Sequence, residues 1–137
     1  MNYEKLEELV IQWAKDRNIL ENSNAIKQIS KTQEELDETL DALKRLEQGE
    51  ESMLEVADGI GDMLVTIILL AKIVGLNSVD CLADAYDEIK DRKGKMINGL
   101  FVKDTLSQQF DFIDEKSKHI LDVTIDAINS DSTLIND

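Results

Sequence analysis

Residues 58 to 71 read Asp-Gly-Ile-Gly-Asp-Met-Leu-Val-Thr-Ile-Ile-Leu-Leu-Ala. Asp58 and Asp62 stand four residues apart, about one helical turn, so on a helix they share a face. From Met63 to Ala71 there is no charge, and Thr66 is the only polar side chain. A helix that turns from acidic to apolar on nearly all sides predicts burial from Met63 onward. Asp62 then sits at the mouth of a core, where a carboxylate is costly unless something compensates it. A divalent cation is one such compensation. The uncharged run is about half the roughly 20 residues that a membrane span needs. It reads as a core helix, and no membrane partner is expected.

Working upstream, Ser23 or Asn24 is a candidate cap for a helix running to about Glu47, with Gly49 as its stop. Ile26, Ile29, Leu36, Leu40 and Leu43 form its apolar stripe. Glu34, Glu35 and Glu38 gather within about one turn, with Lys31 beside them. Glu35 lies toward the border shared with Thr32, Thr39 and Ala42 and is expected to face another helix. The helix that follows, about Ser52 to Val74, carries Glu55, Asp58 and Asp62 on one side. The turn between the two is short, which predicts an antiparallel hairpin. Glu35 and Glu38 precede Gly49 by about as many residues as Asp58 and Asp62 follow it. The four carboxylates therefore come level, the way helical bundles assemble divalent-metal sites. All the donors are oxygen, so Mg²⁺ is the natural guest and Mn²⁺ the alternative. Gly59 and Gly61, inside the same helix, serve either close helix packing or room for a ligand.

The composition agrees with a helical fold. The chain has 137 residues, no Pro, and many Leu, Ile, Glu and Lys. Lys and Arg total 15 against 29 Asp and Glu, for a net charge of −14. That balance argues against nucleic-acid binding, which needs a basic surface. The one cysteine, Cys81, forms no intrachain disulfide, and the first residues have no signal-peptide pattern. Both features fit a cytoplasmic protein.

Residues 2 to 17 read as a first helix, with Leu6, Leu9, Val10 and Trp13 on one face. Trp13 serves either packing or as an aromatic wall against a base or sugar. Residues 18 to 22 read as a loop. A fourth helix is expected from Val79 to about Lys93, ending in a cluster that includes Lys90, Arg92 and Lys93. Basic residues suit a helix C-terminus, and they also suit a clamp for phosphate oxygens. Residues 96 to 104 look extended. From residue 105 onward, Phe110, Ile113, Ile120 and Leu121 keep roughly helical spacing, predicting one more helix and a frayed end.

Lys31-x-x-Glu34-Glu35-x-x-Glu38, a spacer, and Asp58-x-Ile-Gly-Asp62 together resemble the MazG-like nucleoside triphosphate pyrophosphohydrolases, whose pattern is EExxE, spacer, ExxD. Ile89-Lys-Asp-Arg-Lys-Gly-Lys-Met96, Asn98-Gly-x-Phe-Val-Lys103 and Trp13-Ala-x-Asp16-Arg17 are similar to the short bacterial and phage members. The resemblance implies an antiparallel four-helix bundle over residues 1–104 and a homodimer or homotetramer; the C-terminal helical extension over 105–137 rests on its spacing alone and has no counterpart in the family. It implies Mg²⁺-dependent hydrolysis of a nucleoside triphosphate to the monophosphate and pyrophosphate. Glu35, Glu38 and Asp62 would hold metal, with Asp58 beside them. Glu34 or Glu38 would act as base, and Lys31, Lys90, Arg92 and Lys93 would meet the phosphates. The family has Glu three residues before its final Asp, and here that position is Gly59. The rival readings are a non-catalytic acidic interaction module and a metal-dependent nucleotide-binding regulator.

Overall fold

The computed structural model describes residues 1–105, and the helix expected beyond them lies outside the described residues. The described chain is mostly helical: α1 Tyr3–Asp16, α2 Ile19–Asn22, α3 Ala25–Glu47, α4 Met53–Ile73 and α5 Ser78–Ile89, then strands β1 Gly94–Ile97 and β2 Leu100–Lys103. The short helix α2 replaces the expected loop. α5 stops at Ile89, before the basic cluster that the sequence reading placed inside it. The chain divides into two compact units after Tyr86.

In the first unit α3 and α4 form the antiparallel hairpin that the short turn predicts. Asn24 caps α3, its Oδ1 accepting from the Lys27 amide at 2.9 Å. Ser52, almost fully buried, donates from Oγ to the Ala42 carbonyl at 2.7 Å and ties the two helices at the turn. Farther from the turn along the same two helices, Thr32 and Thr66 meet hydroxyl to hydroxyl at 2.7 Å. Between these ends Thr39 faces Gly59. A Cβ built on Gly59 would collide with the Thr39 hydroxyl, which is itself bonded to the Glu35 carbonyl at 2.7 Å. Gly59 therefore serves close helix packing. The neighbouring Gly61 has open space around it.

The seam between α3 and α4 is polar and small. Gln28, Glu35, Thr39 and Ala42 are buried on one side, Val56, Gly59 and Thr66 on the other. The residue after each seam position turns by about 100° out of the interface, and the residue before it turns about 100° the other way. In antiparallel helices equal rotations lead to the same side of the pair. One step forward from the seam lie Leu36, Leu40 and Leu43 on α3, and Ile60, Leu64 and Ile67 on α4. One step back lie Glu34, Glu38 and Asp41, and Glu55, Asp58 and Asp62. The hairpin thus has one apolar face and one acidic face.

Two expectations are corrected here. The stripe of Ile26, Ile29, Leu36, Leu40 and Leu43 is not buried among the described residues; each is 42 % exposed or more. The run from Met63 to Ala71 is buried only at Thr66, Ile68, Leu69 and Ala71, while Leu64 and Ile67 remain 42 % exposed. Ile68, Leu69 and Ala71 join Ala14 of α1, with Ala42 and Val56 near the turn, as the buried apolar residues among those described.

α1 packs on α4. Its Glu7, 4 % exposed, accepts from Asn77 Nδ2 at 2.6 Å, from the Val79 amide at 3.3 Å and from the Ser78 hydroxyl. One carboxylate thereby satisfies the first turn of α5, whose positive end favours an anion.

In the second unit β1 and β2 pair antiparallel, Gly94 opposite Lys103 and Ile97 opposite Leu100. Asn98 and Gly99 between them both have positive φ, 50° and 80°, as a two-residue hairpin turn of the Asn-Gly kind requires. This hairpin is the form taken by the expected extended segment.

Gly59→Ala should destabilise the protein by about 1–3 kcal/mol through overpacking against Thr39, whereas Gly61→Ala should stabilise it by up to about 1 kcal/mol. Glu7→Ala should cost about 2–3 kcal/mol by stranding the donors of α5. Urea melts of the three variants check these signs and sizes.

Candidate active site

The acidic face of the hairpin forms the wall of a cavity of about 630 Å³. Glu35, Glu38 and Asp41 reach it from α3, and Glu55, Asp58 and Asp62 from α4. Four residues expected as metal ligands, Glu35, Glu38, Asp58 and Asp62, are thus brought to one place. Glu35 is buried, because it belongs to the seam; Glu38, Asp58 and Asp62 are exposed, because they lie one step off it. The orientation of Gly59 explains why Asp58 belongs here. Gly59 borders the cavity as well, but a side chain there would meet Thr39, whereas Asp58 lines the cavity with its carboxylate available.

The remaining expected residues are placed as follows. Glu34 does not line the cavity: its Oε2 lies 3.1 Å from Lys31 Nζ on the open surface. Lys31 also reaches Glu35 Oε1 at 3.4 Å. These partners, Glu34 first and Glu35 second, raise the pKa of the Lys31 ammonium. Trp13 lines an apolar groove of about 380 Å³ with Leu6, Leu9, Val10 and Val65, and Asp62 lines this groove as well as the acidic cavity. The Arg17 guanidinium lies 4.8 Å from the centre of the Trp13 ring, within cation–π range. Lys90, Arg92 and Lys93 belong to the second unit. There Lys90 Nζ pairs with Asp87 at 3.3 Å, and Arg92 lines a recess with Asp91 and Lys103.

The sequence reading missed Arg45. It lines the acidic cavity and ties its two walls, pairing with Asp41 at 3.0 Å, Glu50 at 3.7 Å and Glu55 on α4. Its spacing, seven residues after Glu38 and four after Asp41, was the available signal. The bond from Arg45 holds the Glu55 carboxyl below the ordinary glutamate pKa and raises that of the Arg45 guanidinium.

The donor chemistry of this cavity suits a hard divalent cation, since Glu35, Glu38, Asp58 and Asp62 offer only carboxylate oxygens. Among the described residues no three acidic, imidazole or thiol groups stand close enough together to hold a metal ion as they are oriented. Ion pairing accounts for part of that arrangement: Glu35 is drawn to Lys31 and Glu55 to Arg45. Among the described residues Glu38, Asp58 and Asp62 make no ion pair within 4 Å, so their carboxylates are available to a cation. Among the described residues no single helix is long and apolar enough to cross a membrane.

Compared with protein-family models, curated proteins and solved structures, the chain matches none.

Because the folded pKa of Glu55 is lowered, its pair with Arg45 stabilises the fold above the ordinary glutamate range. That contribution is lost as pH falls through the lowered value, below about 4.3. Thermal melts between about pH 6 and pH 3 should show a steeper acid loss in the native chain than in Glu55→Gln. Equal slopes would mean that the pair carries no pH-dependent stability.

Proposed function

We propose that the protein is a Mg²⁺-dependent nucleoside triphosphate pyrophosphohydrolase, releasing the monophosphate and pyrophosphate. The observation that carries this reading is the position of Asp62. It stands between a cavity walled by carboxylates of two helices and an apolar groove walled by Trp13. A nucleoside triphosphate has the matching two-part chemistry, a chain of phosphates joined to a flat, weakly polar base. Phosphates cannot enter an acidic cavity without a cation between, which is why Mg²⁺ belongs to the reading.

Glu35, Glu38, Asp58 and Asp62 are the residues that would hold it. When bound, Mg²⁺ supplies neutralisation of phosphate charge and orientation of the reacting groups. Glu38 is the better-placed base of the two expected, because it lines the cavity and Glu34 does not. It takes the proton of a water whose oxygen bonds to the α-phosphorus, while the bond to the β-phosphate oxygen breaks and pyrophosphate leaves. Glu35 is a positioning residue: its burial against α4 sets the rotation of α3 and so the direction of Glu38. Trp13 offers its exposed ring to the base. Lys90, Arg92 and Lys93 remain the proposed phosphate contacts of the second unit, and Lys31 that of α3. The same reading makes the protein a cytoplasmic homo-oligomer built around a four-helix bundle.

The engagement of Glu35 and Glu55 in ion pairs favours one alternative, a metal-dependent nucleotide binder without turnover.

Incubation with a panel of ribo- and deoxyribonucleoside triphosphates plus Mg²⁺, with release of pyrophosphate as readout, tests the proposal. Asp62→Asn and Glu38→Gln should each lower kcat by about 100-fold or more with unchanged helical circular dichroism. A Mg²⁺- and nucleotide-dependent rise in Tm without turnover would identify the binder instead. Neither turnover nor a rise would leave the acidic interaction module.

A further inference from the structure

We infer that Arg45 is the contact for the terminal phosphates of a nucleoside triphosphate, so that the substrate lies along the α3–α4 hairpin with its base at Trp13 and its departing pyrophosphate at Arg45. The inference deepens the proposed function and rests on the nucleotide reading of the acidic cavity, which the hydrolase and the binder without turnover share.

The first observation is order along the hairpin. The residues that wall the cavity run from Glu35 to Arg45 on α3 and from Glu55 to Asp62 on α4. The helices are antiparallel, so Glu35 and Asp62 stand at one end and Arg45 and Glu55 at the other, nearest the turn. Asp62 also lines the Trp13 groove. Glu55 and Asp62 are seven residues apart, as are Glu38 and Arg45, which is about 10 Å along a helix axis. The Trp13 end and the Arg45 end are therefore opposite, with Glu38 and Asp58 between them. A nucleotide held by its base in the Trp13 groove, with its phosphates in the cavity, directs the last of them toward Arg45.

The second observation is charge. Arg45 is the only basic side chain among the described residues that wall this cavity. The terminal phosphates carry the most negative charge of the ligand, and the surrounding carboxylates repel them. A guanidinium at the far end answers that charge, and its planar fork matches the spacing of phosphate oxygens. Lys31, the other basic residue on the same helix expected to meet phosphate, does not line the cavity.

The third observation is how Arg45 is held. Its Nε donates to Asp41 on α3 at 3.0 Å, and its Nη2 donates to Glu55 on α4. Its Nη1 stands 3.7 Å from Glu50, beyond hydrogen-bond length, and makes no hydrogen bond among the described residues. Two nitrogens of the fork are anchored and the third keeps its donors. Anchoring from both helices removes side-chain freedom that a phosphate would otherwise have to freeze. As a tie alone Arg45 would be a weak device, because exposed ion pairs contribute little to stability.

The test compares three forms of the full-length chain with Mg²⁺ and a nucleoside triphosphate: native, Glu55→Gln, and Arg45→Met combined with Glu55→Gln. The double variant loses one positive and one negative charge, so the net charge of the cavity stays native, and Glu55→Gln is the reference for the lost tie. Against that reference the double variant should raise KM for the triphosphate about 10-fold or more and weaken inhibition by pyrophosphate by a similar factor. Inhibition by the nucleoside monophosphate should stay the same, whereas a general disturbance of the cavity would weaken both products alike. Equal KM and equal pyrophosphate inhibition in the two variants would overturn the inference and leave the hydrolase reading standing. So would a loss shared equally by both products. Should the double variant not fold, Arg45→Lys, which keeps the charge and loses the fork, replaces it and is compared with the native chain for the same changes. If the native chain binds without turnover, the rise in Tm with Mg²⁺ and triphosphate gives the same comparison, and a rise as large in the double variant as in Glu55→Gln would overturn the inference. Neither turnover nor a rise in the native chain would overturn the nucleotide reading and this inference together.

Discussion

Everything described in the first unit depends on how closely α3 can approach α4, and that is decided where Thr39 meets Gly59. The absence of a side chain at 59 lets the Thr39 hydroxyl, already bonded to the Glu35 carbonyl, sit against the backbone of α4. Thr32 with Thr66 and Ser52 with the Ala42 carbonyl hold the same approach on either side of it. A seam of hydroxyls and small residues contributes less hydrophobic energy than a leucine seam would. Its satisfied hydrogen bonds instead fix rotation, because a buried hydroxyl turned away from its partner is costly. Once the rotation of both helices is set, every other residue on them has its direction assigned.

Two consequences follow from that one constraint, on opposite sides of the hairpin. Turning back from the seam, the carboxylates of Glu38, Asp58 and Asp62 are presented together on one cavity. Like charges gathered this way repel, and the chain offsets part of the repulsion with Arg45 across the two helices and Lys31 along α3. Among the described residues Glu38, Asp58 and Asp62 are the exposed carboxylates of this cavity left without an ion pair. Turning forward from the seam, the leucines and isoleucines are presented together to whatever covers them. An acidic face and an apolar face are two outcomes of the same helix rotation.

α1 joins the hairpin to the rest of the unit. Its Ala14 is fully buried, its Glu7 fixes the start of α5, and its Trp13 borders the groove that reaches Asp62. A single helix thereby contributes stability through one residue and an aromatic surface beside the acids through another. Glu7 was not visible as important in the sequence, because a glutamate in an acidic helix reads as a solvated one. Only the return of the chain at Asn77 and Ser78, some 70 residues later, gives its carboxylate three donors.

The sequence by itself determined the long helices α1, α3 and α4, the cap at Asn24 and the antiparallel pairing of α3 with α4, but not the short helix α2, the end of α5 or the β1–β2 hairpin. Those it determined are set by local spacing: Asn24 before a helical period and a short connection through Gly49. It also placed Glu35, Glu38, Asp58 and Asp62 level with one another, since distance from a tight turn converts directly into height along a hairpin. Tertiary structure alone decided which side of each helix faces inward. By hydrophobicity α3 should bury Leu36 and Leu40, yet it buries Glu35 and Thr39, one residue earlier. Periodicity gives the shape of a stripe but not what covers it, and here an apolar stripe belongs to a surface that the other described residues leave largely exposed. That position 58 and not 59 has room for a side chain beside the cavity was hidden for the same reason, because a rotation of about 100° is one residue in sequence and only the contact of Gly59 with Thr39 reveals it.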